Sequence, residues 1–299
     1  MKFTFRQLEY FDTLSDHETL SSAAAALFIS ESTLSHAISE LERSVGVQLC
    51  HRRKGKGLTL TPAGRHFAER ARVLIQEAKE LALDTTNVDG QLRGPVSVGC
   101  FSGVANNLVP ALLEGLPRVH PGIEVDVVVG NDDVLLPALF AGKCDFVILY
   151  DMLLPPNLRR LTIYNTQVTA VMPATHPLAS GESVKLAELC HEPFIMVDSK
   201  PSTDNTYAIF RDQGLIPQLS VAVPSVELAK ALVGRGLGYT LLMSRPNSTN
   251  FTTEGRKIVS LPLEPPAGLT SVVAGWPKGT SLTPRALAVV DYAAGMLGG

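Results

Sequence analysis

Cysteine is scarce in this 299-residue sequence, and its four residues, Cys50, Cys100, Cys144 and Cys190, stand far apart. None forms a CxxC or a Cys/His metal spacing, which excludes a zinc site and a disulfide framework as organising features. In a reducing compartment all four read as free thiols. Long apolar runs are missing as well: none reaches the roughly 18 residues that a membrane-spanning helix needs. The first residues, Met1-Lys2-Phe3-Thr4-Phe5-Arg6, lead into an amphipathic stretch with Glu9 and Asp12. They lack the apolar core of a signal peptide, which predicts a cytoplasmic protein with no membrane partner. Catalytic signatures are absent: there is no GxSxG elbow, HExxH, P-loop or GxGxxG after a first strand. Gly234-Arg235-Gly236-Leu237-Gly238 follows a helical pattern and reads as a turn. Neither an enzyme nor a bound metal or cofactor is expected.

What is present is a length sufficient for two or three domains with real cores. Net charge is −3, which argues against a nonspecific coat for nucleic acid. The distribution points the other way. Residues 43–72 hold eight basic side chains (Arg43, Arg52, Arg53, Lys54, Lys56, Arg65, Arg70, Arg72) against one acid, Glu69. Four of them surround Gly55 on a predicted hairpin tip, a footprint suited to phosphates.

Leu8, Phe11 and Leu14 have helical spacing. Ser21 or Ser22 is the expected cap of a second helix running to about Phe28, whose alanines permit close helix crossing. Ser30 is the expected cap of a third, with Leu34, Ala37, Ile38, Leu41 and Val45 as its buried stripe and Gly46 as its left-handed end. Its outer face carries Ser30, Glu31, Ser32, Thr33, Ser35, His36 and Ser39. Short donors and acceptors at a helix start suit base edges in a major groove. With Arg52, Arg53, Lys54 and Lys56 they form the predicted DNA-binding set.

The pattern resembles the LysR-type transcriptional regulators. Matching positions are Ala23-Ala24, Leu27, Ser30, Ser35, Ile38, Leu41-Glu42, Gly46, Leu49, Arg52, Leu60-Thr61 and Ala63-Gly64. The resemblance continues, more loosely, beyond residue 95. It implies a winged helix-turn-helix over 1–61 with a recognition helix at about 30–44 and a wing at about 49–60. The chain departs from the family at Glu31, where glutamine is common, and at Cys50, where phenylalanine is common. Glu31 either accepts from a cytosine amino group or complements the helix dipole. Cys50 leaves a smaller core plug beneath the wing.

Residues 62–90 read as a linker helix and hinge. Phe67, Ala71, Leu74, Ala78 and Leu81 alternate spacings of four and three, a coiled-coil seam. The resemblance implies dimerisation through it, a homodimer or homotetramer, and an inverted-repeat DNA site. Packing of this helix against its own chain is the alternative.

Beyond Pro95 the apolar strands alternate with helices, which predicts a parallel α/β sheet. Strands fall at 96–100, 123–129 and 146–150, and again near 168–172, 194–197, 219–223 and 239–242. A strand at 269–274 and a helix at 284–296 return to the first set. Two α/β lobes (lobe 1 at about 91–164 and 266–299, lobe 2 at about 165–265) resemble the type 2 periplasmic-binding-protein fold. In the family that module binds a small effector between its lobes. Loops at strand carboxyl ends supply the candidates: Cys100, Phe101, Ser102, Gly103, Asn131, Tyr150, Ser199, Pro201, Ser202, Ser225 and Val226. Helix N-termini and hydroxyls there suit a carboxylate-bearing molecule.

The expected function is a bacterial transcriptional regulator. Its partners are double-stranded DNA, an anionic effector and further copies of the chain, with RNA polymerase an open addition. Two other readings stand. A thiol at a helix start suggests redox sensing through Cys100, although the peroxide-sensing relatives carry their cysteine before a segment like Phe210-Arg211-Asp212-Gln213, where this chain has none. The second is a solute-binding protein without a regulatory role, which would have no use for residues 1–90.

Overall fold

The computed structural model describes residues 3–53, 57–86, 91–244 and 250–297. The chain divides into two compact units, Met1–Arg93 with Phe140–Lys143, and Gly94–Leu139 with Cys144–Gly299. Among the described residues no helix is long and apolar enough to cross a membrane.

In the first unit, α1 (Phe5–Ser15) starts at a capping box in which Thr4 and Gln7 bond reciprocally. Helix α2 (Leu20–Ala26) is capped by Thr19, whose hydroxyl accepts the Ser22 N–H at 3.1 Å. The predicted caps, Ser21 and Ser22, therefore lie within the first turn of the helix. Thr19 wins because it is the last extended residue, and Ser22 instead donates back to its carbonyl.

Helix α2 also stops earlier than Phe28. The N–H of Ile29 bonds to the Ala24 carbonyl and that of Phe28 to Ala25, the paired closure of a Schellman motif. Phe28 occupies the left-handed position of that motif at φ 55°. A non-glycine residue there costs about 1 kcal/mol.

Helix α3 (Glu31–Val45) begins at Ser30, whose hydroxyl accepts the Thr33 N–H, and ends at Gly46 with φ 79°. Leu34, Ile38 and Leu41 pack on Phe11, Leu14, Ala23 and Ala24, while Ala37 and Val45 are only half-buried. The hairpin of β1 (Cys50–Arg53) and β2 (Gly57–Leu60) pairs Cys50 with Leu60. Cys50 lies in the core beneath it.

Helix α4 (Pro62–Thr86) leaves the wing at a close crossing. A Cβ on Gly64 would lie 1.9 Å from the Leu49 carbonyl oxygen, so only glycine fits. Thr61 locks this corner by donating to the Gln48 carbonyl and accepting the Gly64 N–H.

The predicted seam on α4 divides. Phe67 meets Phe3 and Phe11 edge-on at 6.1 and 5.5 Å, and Ala71 packs with Leu8 and Ile75. Both therefore serve the subunit's own core, because α1 lies along this half of α4. Leu74, Ala78 and Leu81 are exposed. Arg72 Nε donates to Asp12 at 2.6 Å and fixes the same pair of helices.

The second unit has two lobes. The first is a five-stranded sheet in the order β4 (Gly122–Gly130), β3 (Arg93–Phe101), β5 (Phe146–Tyr150), β12 (Thr270–Pro277), β6 (Leu158–Thr166). Helices α5 (Ser102–Val119), α6 (Asp132–Phe140) and, at the end of the chain, α10 (Pro284–Leu297) belong to it. Strands β3 and β5 are parallel, whereas β12 runs antiparallel to β5 and β6.

The second lobe joins antiparallel β7 (Val168–Pro173), β10 (Thr240–Met243) and β11 (Ile258–Pro262) to a parallel pair, β8 (Pro193–Val197) and β9 (Gln218–Val223). It carries α7 (Leu186–Leu189), α8 (Ser202–Asp212) and α9 (Val226–Gly234). The chain crosses between lobes at Gln167 and returns between Pro262 and Thr270. The parallel sheet expected from the sequence holds for β3 with β5 and for β8 with β9, and antiparallel strands complete both lobes. Strands β6 and β11 escaped the sequence reading because their outer positions, such as Arg159, Arg160 and Ser260, break the apolar run of an edge strand.

Candidate DNA-reading surface and effector pocket

At the start of α3 the hydroxyl of Ser30 lies 2.9 Å from that of Ser32 and 2.7 Å from that of Thr33. Ser30, Glu31, Ser32, Thr33 and His36 are exposed. Free N–H groups and the positive dipole end at this terminus favour phosphate, and the hydroxyls can donate to or accept from base edges. Ser35 and Ser39 are half-buried, and Ser39 spends its proton on the Ser35 carbonyl at 2.9 Å.

The wing is tied to this helix by Glu42, whose carboxylate accepts the N–H groups of Leu49 and Cys50 at 2.8 and 3.1 Å. Its second strand is held by the Leu58 N–H donating to the Glu18 carbonyl at 2.7 Å. Lys54 and Lys56, and the side chains of Arg52 and Arg53, lie outside the described residues.

In the second unit, a cavity of about 330 Å³ is lined by residues of both lobes. Of the eleven candidate effector residues, Phe101, Ser102, Gly103, Asn131, Tyr150, Ser199, Ser202, Ser225 and Val226 line it. Ser102 Oγ donates to Asn131 Oδ1 at 3.1 Å, and the rings of Phe101 and Tyr150 meet edge-on at 5.5 Å. A side chain at Gly103 would strike the Phe101 ring at 2.7 Å, so glycine keeps the start of α5 open.

Pro201 and Cys100 do not line the cavity. Cys100 points into the core of lobe 1, and burial pushes its thiol up to about 12. The expected lowering by a helix terminus is overridden by desolvation. That burial weighs against a redox-sensing role for Cys100.

Several lining residues were not predicted. Asn106 stands one helical turn beyond Ser102 on α5, and Asn205 and Thr206 stand one turn beyond Ser202 on α8. The i+3 and i+4 spacing was a usable signal, since those positions share a face with the helix start. Val168, Leu241, Leu242 and Met243 come from β7 and β10 and supply apolar surface. Glu227 is the one carboxylate among the described lining residues, and Lys230 Nζ sits 3.5 Å from it. Among the described residues, no lysine or arginine lines the cavity.

A helix-turn-helix unit with a wing, followed by a two-lobed α/β unit enclosing a pocket, is the architecture of a ligand-responsive DNA-binding protein. Residues 5–65 match the family model described as the bacterial regulatory helix-turn-helix protein, lysR family, and residues 89–297 match the LysR substrate binding domain. The chain belongs to the LysR family of transcriptional regulators.

It is 29% identical to the transcriptional dual regulator GltC of Bacillus subtilis (strain 168), over 94% of this chain and 93% of that one. The structure of HinK, a LysR family transcriptional regulator from Pseudomonas aeruginosa, is 33% identical, covers 99% of both chains and superposes with a TM-score of 0.65. A full-length OxyR variant from Pseudomonas aeruginosa is 22% identical over 99% of this chain and 98% of that one, with a TM-score of 0.75, and shares the fold. These matches are to regulators rather than enzymes. The helix-turn-helix match also sets aside a solute-binding protein without a regulatory role.

Proposed function

We propose that this regulator binds an inverted-repeat promoter site as a dimer or tetramer in the cytoplasm. In this reading a small organic molecule bearing one carboxylate controls it from the interlobe pocket. The observation that carries the effector reading is the cavity itself: Ser102, Ser202 and Val226 begin α5, α8 and α9, and all three line it. Their N–H groups, with the hydroxyls and amides beside them, can hold an anion without a basic side chain. A second negative charge would face Glu227 with no cation among the described lining residues, which favours a single carboxylate. Ligand that bridges the lobes biases their closure, and closure alters subunit packing and the bend of bound DNA. Contact with RNA polymerase belongs to the same reading.

The exposed Leu74, Ala78 and Leu81 on α4 support self-association. A Leu74→Glu, Leu81→Lys variant is expected to sediment as a monomer and to lose most of its affinity for an inverted repeat. An unchanged oligomer rejects the seam. For the effector, a thermal-shift screen of small carboxylates should yield a compound whose stabilisation is lost in Ser102→Ala and Asn131→Ala. A hit equally effective on both variants places binding elsewhere.

A further inference from the structure

Phe28 is the most exposed large apolar side chain among the described residues, at 95%. Its neighbours behave normally, since Leu27 and Ile29 both pack against the helix-turn-helix core. Its backbone is held at φ 55° by the Schellman closure of α2, a position that favours glycine or asparagine. The chain uses glycine at the corresponding left-handed end of α3, where Gly46 has φ 79°. A phenylalanine in that position strains the backbone, and at this exposure it contributes almost nothing to its own subunit's packing.

The use of the ring therefore lies outside the subunit, and its place says where. Phe28 stands in the turn, two residues before the Ser30 cap that opens the reading helix. In helix-turn-helix docking the first helix crosses the backbone while the start of the second enters the major groove. A side chain on the turn between them is carried to the groove edge. An uncharged aromatic ring has little to offer a phosphate, but it matches the C5-methyl group that only thymine displays there.

We propose that Phe28 is a specificity-determining contact, its ring packing on a thymine methyl at the edge of each half-site. The proposal rests on α3 being the reading helix. If full-length wild-type protein selects no sequence from random duplexes, that underlying reading fails. If it does select one, the proposal is tested by replacing each thymine of the selected site with uracil, which removes only the methyl group.

One thymine per half-site is expected at which uracil weakens wild-type binding about fourfold, the worth of one buried methyl group. Phe28→Asn, which tolerates the left-handed backbone, should bind the thymine site less tightly and be indifferent to uracil at that position. Its melting temperature, and that of Phe28→Gly, should be unchanged or raised. Wild-type affinity in Phe28→Asn overturns the proposal, as does retained uracil sensitivity. A lowered melting temperature in both variants would mean that the ring serves the fold. A loss of affinity that accompanies dissociation in sedimentation would mean that it serves a second copy. Either result also overturns the proposal.

Discussion

The carboxylate of Glu42 accepts the backbone N–H of Leu49 at 2.8 Å. The same oxygen accepts the Cys50 N–H at 3.1 Å, so one side chain of the reading helix fixes where the wing begins. Glu42→Ala leaves two sheltered donors without this acceptor and should cost about 2 kcal/mol. Thermal unfolding would register it as a lowered transition, and DNA affinity should fall because the wing is no longer held to α3. Glu42→Gln retains an acceptor oxygen and should lie between. A wild-type transition in the alanine variant would show that the wing is held by its other bonds alone.

Glu31 stands exposed in the first turn of α3, where the family commonly has glutamine. Glutamine can both donate to and accept from adenine, whereas glutamate can only accept. Glu31→Gln should shift the preferred base at one position of each half-site toward adenine when sites are selected from random DNA. If preference stays constant and only stability changes, by a few tenths of a kcal/mol, Glu31 serves the helix dipole.

All four cysteines are buried, and the Cys100 thiol is pushed up to about 12. A thiol in that state is protonated at neutral pH and is a poor nucleophile. The native protein should resist alkylation at Cys100 at pH 7.5 and label there only after unfolding. Peroxide at concentrations that oxidise exposed thiols should leave DNA binding unaltered. Rapid native labelling of Cys100 would restore the redox reading.

Asp132 opens α6 beside the pocket residue Asn131. Burial and then the neighbouring Asp133 raise its carboxyl from 3.8 to about 6. The folded state therefore holds this proton more tightly than the unfolded chain does. Its ionisation costs stability progressively as pH rises from about 4 to about 6, and the cost is constant above that. Asp132→Asn should match wild type near pH 4 and exceed it by about 1 kcal/mol at pH 7, after allowance for solvent screening. Urea titrations at the two pH values measure this. An equal difference at both would assign the effect to something other than charge.

Much of the DNA-binding unit was legible in the chain because its determinants are local. Ser30, Gly46 and the Leu34, Ile38, Leu41 stripe act within one helix, and Thr61 and Gly64 act across one corner. The pocket loops were legible for the same reason, since Ser102, Asn131, Ser202 and Ser225 each sit beside a strand end or helix start. Asn106, Asn205 and Thr206 were missed because they lie inside helices, where polar residues ordinarily face water.

The sequence by itself determined the family, the alternation of strands and helices and the hydroxyl-rich start of the reading helix, through spacing and capping chemistry that need only near neighbours. Tertiary structure decided the rest. It turned Phe67 and Ala71 inward onto α1 and left Leu81 outside. It ran β12 antiparallel between β5 and β6, and it buried Cys100 deeply enough for desolvation to outweigh the helix dipole. It also left Phe28 bare at a left-handed turn. Each of these depends on which surface another segment covers, and burial is a property of the assembled fold rather than of any stretch of chain.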